Sequence, residues 1–315
     1  MRQRQFEARH AALWAGMETE VVSRKPSPQL PERYRALCNT LAVARQRGYS
    51  PSLVKRLDTL AINAHRVIYA ETGSREYAFI RWLKRDFPRL VRAEWRVVCL
   101  AMLAFFGVAL LTGGLIAWRA ELAYAFMTPA ELSGMESMYQ DGAHRLARRG
   151  AEDDVYMFGF YIWNNVAIAF RTFASGIVFG LGALFASAFN GMHLGVVGAW
   201  LSRSAATSGN FWSFVITHAS LEVTGLILSA AAGMKLGAAL LMPGRLARGA
   251  ALRATASRML PMLMGAALMT FLAAFIEGFW SARTDIPHFV KYLVGSGMWL
   301  AVIAYFCFAG RDRAA

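Results

Sequence analysis

The stretch Val97–Trp118 reads VVCLAMLAFFGVALLTGGLIAW and holds 22 residues without a charged side chain. A helix of this length reaches about 33 Å, enough to cross the hydrocarbon core of a bilayer. Apolar runs follow at Phe211–Gly233, Met259–Trp280 and Phe289–Phe308, and an interrupted one covers Val155–Leu201. The sequence lacks the alternating strands of a membrane barrel. It therefore predicts an all-α polytopic helical membrane protein with about five to six transmembrane helices.

The region before the first span is expected to be a cytoplasmic helical domain over residues 1–96, followed by a transmembrane bundle over residues 97–315. Within residues 1–96, apolar residues recur at helical spacing. They are Phe6, Leu13, Trp14, Met17 and Val21, then Leu30, Tyr34, Leu37, Leu41 and Ala44, then Leu53, Leu57, Leu60, Ala64 and Val67. The domain ends in a basic segment, Arg81–Arg96, with interleaved Trp82, Phe87 and Trp95. This pattern predicts contact with membrane lipid and argues against nucleic acid as a partner.

The distribution of charge predicts the orientation. The loop from Arg119 to Asp154 carries seven acidic residues and four arginines, whereas the segment before the first span is basic. Basic residues concentrate on the cytoplasmic side of membrane proteins. We therefore expect the N-terminus to lie in the cytoplasm. The acid-free stretch Lys235–Arg258 should be cytoplasmic too.

The interrupted run Val155–Leu201 decides how many times the chain crosses. With both basic regions inside, an odd number of crossings lies between Val155 and Gly233. The run could supply two crossings, or one crossing and a re-entrant or in-plane helix. We expect a broken element around Asn190–Gly191, because broken helices occur at membrane depth only where protein or water satisfies the freed backbone.

Polar side chains inside the spans are the candidate site. His218 and Glu222 lie four residues apart, on one helix face, and Glu277 lies in the next span. A charge at the bilayer centre costs about 2.5–3.5 kcal/mol, so these residues should turn inward. The expected intramembrane polar cluster is Asn164, Asn165, Asn190, His193, His218, Glu222 and Glu277.

Two interpretations of this cluster stay open: hydrogen-bonding contacts that join the helices, and a water-lined path or binding site for an ion or small solute. We expect no catalytic residues and no cofactor. We also expect no metal, because His218 and Glu222 supply two ligands with no third at a fixed spacing. The scattered Cys38, Cys99 and Cys307 suit neither disulfides nor a metal knuckle.

Glycines four residues apart predict close helix packing. The pairs are Gly176 and Gly180, Gly191 and Gly195, and Gly233 and Gly237. Each pair matches the small-xxx-small pattern that lets helix backbones approach one another.

Three blocks resemble the stage II sporulation protein M family. They are NNVAIAFRTFASGIVFGLGALFASAFNGMHLG from Asn164, THASLEVTGLILSAAAGMKLG from Thr217, and AAFIEGFW from Ala273. The order and spacing of the blocks also fit the family. The family usually has His-Gly where this chain has His218-Ala219. The long N-terminal region, with YRALCNTLAVARQRG from Tyr34, is similar to the larger, non-sporulating branch.

The resemblance implies a non-enzymatic integral scaffold or assembly protein of an envelope-associated complex, in the bacterial inner (cytoplasmic) membrane. The founding members help assemble a peptidoglycan-degrading complex. The larger branch implies other membrane or cytoplasmic proteins as partners, among them a MoxR-type ATPase and an RDD-type membrane protein, and self-association into a homo-oligomer is a further expectation. The alternative function is a transporter or channel-like protein that uses the buried Glu/His/Asn path.

Overall fold

The computed structural model describes residues 2–23, 27–69, 75–140 and 151–311. These ranges are overwhelmingly helical and contain no strand, which confirms the predicted all-α fold. The chain divides into two compact units, Met1–Ala78 and Phe79–Ala315. Of the acidic residues predicted outside the membrane, Asp141 and the side chains of Glu152, Asp153 and Asp154 lie outside the described residues.

The first unit is built from three helices, α1 (Gln3–Ser23), α2 (Leu30–Gln46) and α3 (Pro51–Tyr69). Their apolar faces meet in one core that includes the fully buried Trp14, Met17, Leu30, Leu37, Leu57 and Ala64. Burying one large apolar side chain contributes about 1.5–3 kcal/mol. The unit therefore carries a hydrophobic core of its own, as the periodicity of its sequence predicts.

The boundary between the units lies at Ala78–Phe79 and not at the predicted residue 96. The chain there forms α4 (Arg75–Arg81), a π-helical turn (Trp82–Asp86) and α5 (Phe87–Ala93). Phe87 is buried and packs against Tyr305 and Phe306 of the last span. Much of the basic segment thus belongs to the fold of the second unit.

Two arginines of this segment cap the end of the last helix. Arg92 donates hydrogen bonds to the carbonyls of Phe306 and Ala309 at 2.7 and 2.8 Å, and Arg89 donates to the carbonyl of Gly310. The last carbonyls of a helix have no intrahelical donor. These two side chains therefore satisfy backbone groups at the end of α13.

The second unit contains the spans. Its helices are α6 (Trp95–Met102) and α7 (Val108–Trp118), joined by a π-helical turn, then α8 (Pro129–Tyr139), α9 (Ala151–Ser175), α10 (Leu181–Leu201), α11 (Ala205–Leu241), α12 (Arg248–Ile276) and α13 (His288–Phe308). A second π-helical turn, Glu277–Ser281, extends α12. Five stretches of the described chain are long and apolar enough to cross a membrane: α6–α7, α10, α11, extended α12 and α13.

Helix α11 is the centre of this bundle. It packs against α6, α9, α10, α12 and α13, and its most apolar part is largely buried inside the protein. Its 37 residues extend over about 55 Å. Small residues such as Gly225, Ser229, Ala232 and Gly233 are buried along it, which lets the surrounding helices come close.

Close contacts fix the helix directions. Helix α10 runs parallel to α6–α7, because Ser187 lies against Ala101, Gly191 against Phe105 and Gly195 against Ala109. Helix α11 runs the opposite way, because its start lies beside the end of α10 at Gly198 and its end beside Gly180. Near the start of α9, Phe158 lies against Gly278, which follows α12. Just after the end of α9, Gly176 lies against Gly233 near the end of α11, so α9 runs parallel to α11. The run Val155–Leu201 is therefore a helical hairpin with both arms along the bundle.

The predicted break at Asn190–Gly191 is wrong, since α10 continues through both residues. The Asn190 side chain donates to the carbonyl of Ala186 in its own helix at 2.8 Å, which satisfies the amide locally. Gly191 admits the backbone of Phe105 without a bend. The chain breaks instead between α9 and α10, where Phe179 and Gly180 have positive φ values of 52° and 82°. Glycine adopts that conformation without steric cost.

All six glycines predicted to serve helix packing lie at close backbone approaches. The Gly176–Gly180 turn sits directly on Gly233 and Gly237 of α11. A Cβ atom added to Gly237 would overlap the backbone of Gly176 and Gly180. This junction therefore depends on the absence of side chains.

The buried carboxylate of Glu94, near the start of the first span, forms ion pairs with side chains of two other helices. The carboxylate of Glu94, 4% exposed, lies 2.9 Å from Lys235 Nζ on α11 and 2.5 Å from Arg258 Nη2 on α12. The side chains of Lys235 and Arg258 remain 32% and 62% exposed, so water screens part of both interactions. Two cations of the predicted basic loop therefore pair with a buried carboxylate of the bundle.

We predict that Gly237→Ala lowers the free energy of unfolding by about 1–3 kcal/mol or more, because the added methyl group displaces the backbone of the α9–α10 turn. The matched control is Gly114→Ala in α7, where a Cβ meets nothing within 4 Å. That change should leave stability unchanged or raise it slightly. Thermal unfolding of the purified protein in detergent, followed by circular dichroism, measures both. Equal melting temperatures for the two variants would contradict the close approach.

Candidate functional site

A cavity of about 380 Å³ lies among the helices of the second unit. Helices α8 to α12 line it, together with Phe105 at the turn between α6 and α7. Met135, Met138 and Tyr139 of α8 contribute to its wall.

Helix α8 begins in a capping box in which the backbone and side chain of Thr128 donate to Glu131. These hydrogen bonds hold the pKa of the Glu131 carboxyl below its usual range.

The polar side chains predicted to face the interior all line this one cavity. Helix α9 supplies Asn164 and Asn165, α10 supplies Asn190 and His193, α11 supplies His218 and Glu222, and the π-helical turn after α12 supplies Glu277. The four helical segments run side by side, so residues up to 113 positions apart meet at one depth. These polar side chains therefore form a cluster within a cavity whose remaining lining is largely apolar.

His218 lies between two oxygen-bearing neighbours. Its Nε2 atom is 3.5 Å from Glu222 Oε2, one helical turn away, and its Nδ1 atom is 3.1 Å from Ser281 Oγ. The Ser281 hydroxyl also contacts the Thr217 hydroxyl, and Lys291 Nζ donates to the Ser281 carbonyl at 2.8 Å. These contacts fix the plane of the imidazole, so that Nε2 points toward the carboxylate.

Glu277 is held by the asparagine pair. Asn165 Nδ2 donates to Glu277 Oε2 at 3.1 Å, and Asn164 Nδ2 donates to Asn165 Oδ1 at 3.0 Å. Glu277 and Asn165 are 8% and 5% exposed. A buried carboxylate requires such donors, because leaving a buried polar group unpaired costs about 1–3 kcal/mol or more.

The three ionisable groups come together. One potential ligand atom from each of His218, Glu222 and Glu277 lies within 4.8 Å of the others. His218 is almost fully buried, whereas 33% of the Glu222 side-chain surface remains accessible beside the cavity. A nitrogen and two carboxylates in this arrangement can bind a cation or exchange protons with water in the cavity.

Asn190 and His193 share the cavity but stand apart from this set, since the Asn190 amide is bonded within its own helix. Sequence reasoning missed Ser281, Thr217 and Lys291. A signal existed for Ser281, which follows Glu277 by one helical turn, and for Lys291, a charge in an otherwise apolar span. Hydroxyl residues such as Thr217 are too common in spans to be singled out.

The helices and the cavity define the class of protein: it is a polytopic helical membrane protein with a cavity that contains a cluster of polar side chains. Residues 102–282 match the family model described as Stage II sporulation protein M. This match covers more than half of the 315 residues, so the chain belongs to that family. Residues 4–70 match the model Domain of unknown function (DUF8413). This range covers α1 from its second residue together with α2 and α3. No curated protein and no solved structure matched the chain.

We predict that Asn165→Ala lowers the free energy of unfolding by about 1–3 kcal/mol, because it removes a buried donor to the Glu277 carboxylate. Asn190→Ala is the matched control. It removes an amide from the same cavity, but one whose donor serves only its own helix turn. Thermal denaturation in detergent compares the variants. If Asn190→Ala is destabilised as strongly as Asn165→Ala, the contact with Glu277 is not what stabilises this wall.

Proposed function

We propose that this protein is a non-enzymatic integral inner-membrane scaffold or assembly protein of an envelope-associated complex. One observation carries the proposal: the chain builds two compact units, each with its own hydrophobic core. The membrane unit provides an anchor packed through glycines, and the helical unit provides a folded surface for protein partners. Membership in the stage II sporulation protein M family supports the same role.

The charges of the bundle support an orientation with the N-terminus in the cytoplasm. The end of the bundle where α6 begins carries Arg85, Arg96, Arg245 and Arg248, besides the arginines that cap α13. The opposite end carries the acidic Glu121, Glu131, Glu136 and Asp285. This asymmetry matches the cytoplasmic excess of basic residues. When α9 is counted as a crossing, the basic segment before α6 and the basic stretch Lys235–Arg258 lie on the same side of the membrane.

The proposed partners are membrane lipid and other membrane or cytoplasmic proteins, with a MoxR-type ATPase and an RDD-type membrane protein as the first to test, and a second copy of the chain. The surface of the helical unit suits protein partners, because it presents ion pairs such as Arg45–Asp58 and Arg56–Glu18 beside exposed apolar side chains such as Val22. We propose no nucleic acid partner.

We predict that Leu37→Asp abolishes co-purification of a co-expressed MoxR-type ATPase while the protein still inserts into the membrane. Leu37 is fully buried, so a charge there disrupts the core of α1 to α3, whose residues belong to the first unit. The matched control is Asn39→Asp, which places the same side chain at an exposed position of α2. Affinity purification from detergent extracts quantifies the ATPase, and size-exclusion chromatography checks the membrane unit.

Unchanged ATPase recovery with Leu37→Asp, in protein whose helical unit has become protease-sensitive, would reject recruitment by that unit. Failure of the unsubstituted chain to retain either the ATPase or the RDD-type protein would reject these two partners.

The polar cavity favours a second candidate function, a transporter or channel-like protein. In that case Glu222 and Glu277 carry the ion or solute, and Glu222→Gln and Glu277→Gln should each abolish flux. Proteoliposomes loaded with a pH-sensitive dye measure proton entry. Glu136→Gln is the matched control, because it makes the same chemical change on α8 outside the cavity lining. Flux no faster than in protein-free liposomes would reject proton transport.

A further inference from the structure

We propose that His218, Glu222 and Glu277 form a binding site for one divalent transition-metal ion of the Zn²⁺, Mn²⁺, Fe²⁺ or Co²⁺ class. The site is independent of the scaffold function and adds a ligand to the second unit. The third ligand, Glu277, lies 55 residues after Glu222 in the sequence and belongs to a different helix.

The distances suit a metal ion with little rearrangement. Bonds of about 2.0–2.2 Å in tetrahedral geometry place ligand atoms roughly 3.3 Å apart. His218 Nε2 and Glu222 Oε2 are 3.5 Å apart, and all three ligand atoms lie within 4.8 Å of one another. Small rotations of the two carboxylates would bring all three onto one ion.

The groups behind the ligands are those that metal sites use. A metal-bound histidine usually has its other ring nitrogen bonded to a neighbouring group, which fixes the ring orientation. Here Ser281 Oγ occupies that position at His218 Nδ1, leaving Nε2 for the ion. A ligating carboxylate is usually hydrogen-bonded as well, and Asn165 donates to Glu277. These outer contacts are independent of the ligand distances and point to the same use.

The cavity supplies the remaining coordination position. Glu222 keeps accessible surface beside a space of about 380 Å³, large enough for several water molecules. One imidazole with two carboxylates suits borderline divalent ions, whereas Mg²⁺ and Ca²⁺ prefer sites built from oxygen alone.

Charge gives a further reason for this assignment. Two ionised carboxylates within 4.8 Å of one histidine repel one another, and the apolar helices around them strengthen that repulsion. A divalent ion compensates both negative charges at once. Among the described residues the ionisable partner of Glu222 is the His218 imidazole, and an uncompensated charge in the membrane interior is costly.

The experiment uses the full-length protein in detergent, stripped with a chelator and equilibrated with Zn²⁺. We expect one bound Zn²⁺ per chain by elemental analysis, a raised melting temperature, and a tetrahedral absorption band when Co²⁺ replaces Zn²⁺. Glu222→Gln and His218→Gln should each weaken binding by about tenfold or more. Glu222→Gln keeps the size of a partly exposed side chain, so it tests the site without disturbing the fold.

Two controls separate this site from others. His193→Gln removes an imidazole that lines the same cavity outside the ligand set, and Glu136→Gln removes a carboxylate outside the cavity. Both should bind Zn²⁺ as the unsubstituted chain does. Binding below one equivalent, or equal binding by Glu222→Gln and His193→Gln, would overturn the proposal. Neither result bears on ATPase recovery, which depends on the first unit.

Discussion

A carboxylate inside a bundle of apolar helices must obtain its solvation from neighbouring side chains, and this constraint organises the centre of the second unit. Glu277 takes a donor from Asn165, and Glu222 lies against His218 and the cavity. The Asn165–Glu277 contact joins α9 to the turn after α12, and the His218–Ser281 contact joins α11 to the same turn, so these polar groups also fix the register of α9, α11 and α12. The helices can meet this demand only by standing close together.

Close approach is supplied by small residues along α11. Gly233 and Gly237 receive the turn between α9 and α10, Gly225 receives Thr270 of α12, and Ile216 lies against Gly295 of α13. Association of helices in a membrane relies on packing and hydrogen bonds, because lipid is as apolar as the helix surfaces. The bundle therefore combines a glycine-packed junction at Gly233 and Gly237 with a polar cluster in the cavity. The same helix, α11, belongs to both.

The glycine-packed junction suits an anchor for a complex. The cavity brings ionisable groups together among apolar helices, where a bound ion or a transferred proton changes the electrostatic energy more than it does in bulk water. The two proposals, assembly and metal binding, thus use different parts of one bundle. The helical unit over α1 to α3 contributes a third surface, built without help from the membrane.

Composition and helical spacing determined the all-α membrane fold, the helices of the first unit and the residues able to face a polar interior, because these depend on a side chain and its near neighbours. The tertiary structure decided what depends on distant segments. Phe87 and Arg92 contact the last span, so the second unit begins at Phe79 and not after residue 96. Helix α10 continues through Asn190, because the amide of that residue bonds within its own helix. The tertiary structure also brought Glu277 to His218 and Glu222. No spacing rule along the chain predicts that contact, since only the packing of α12 against α11 creates it.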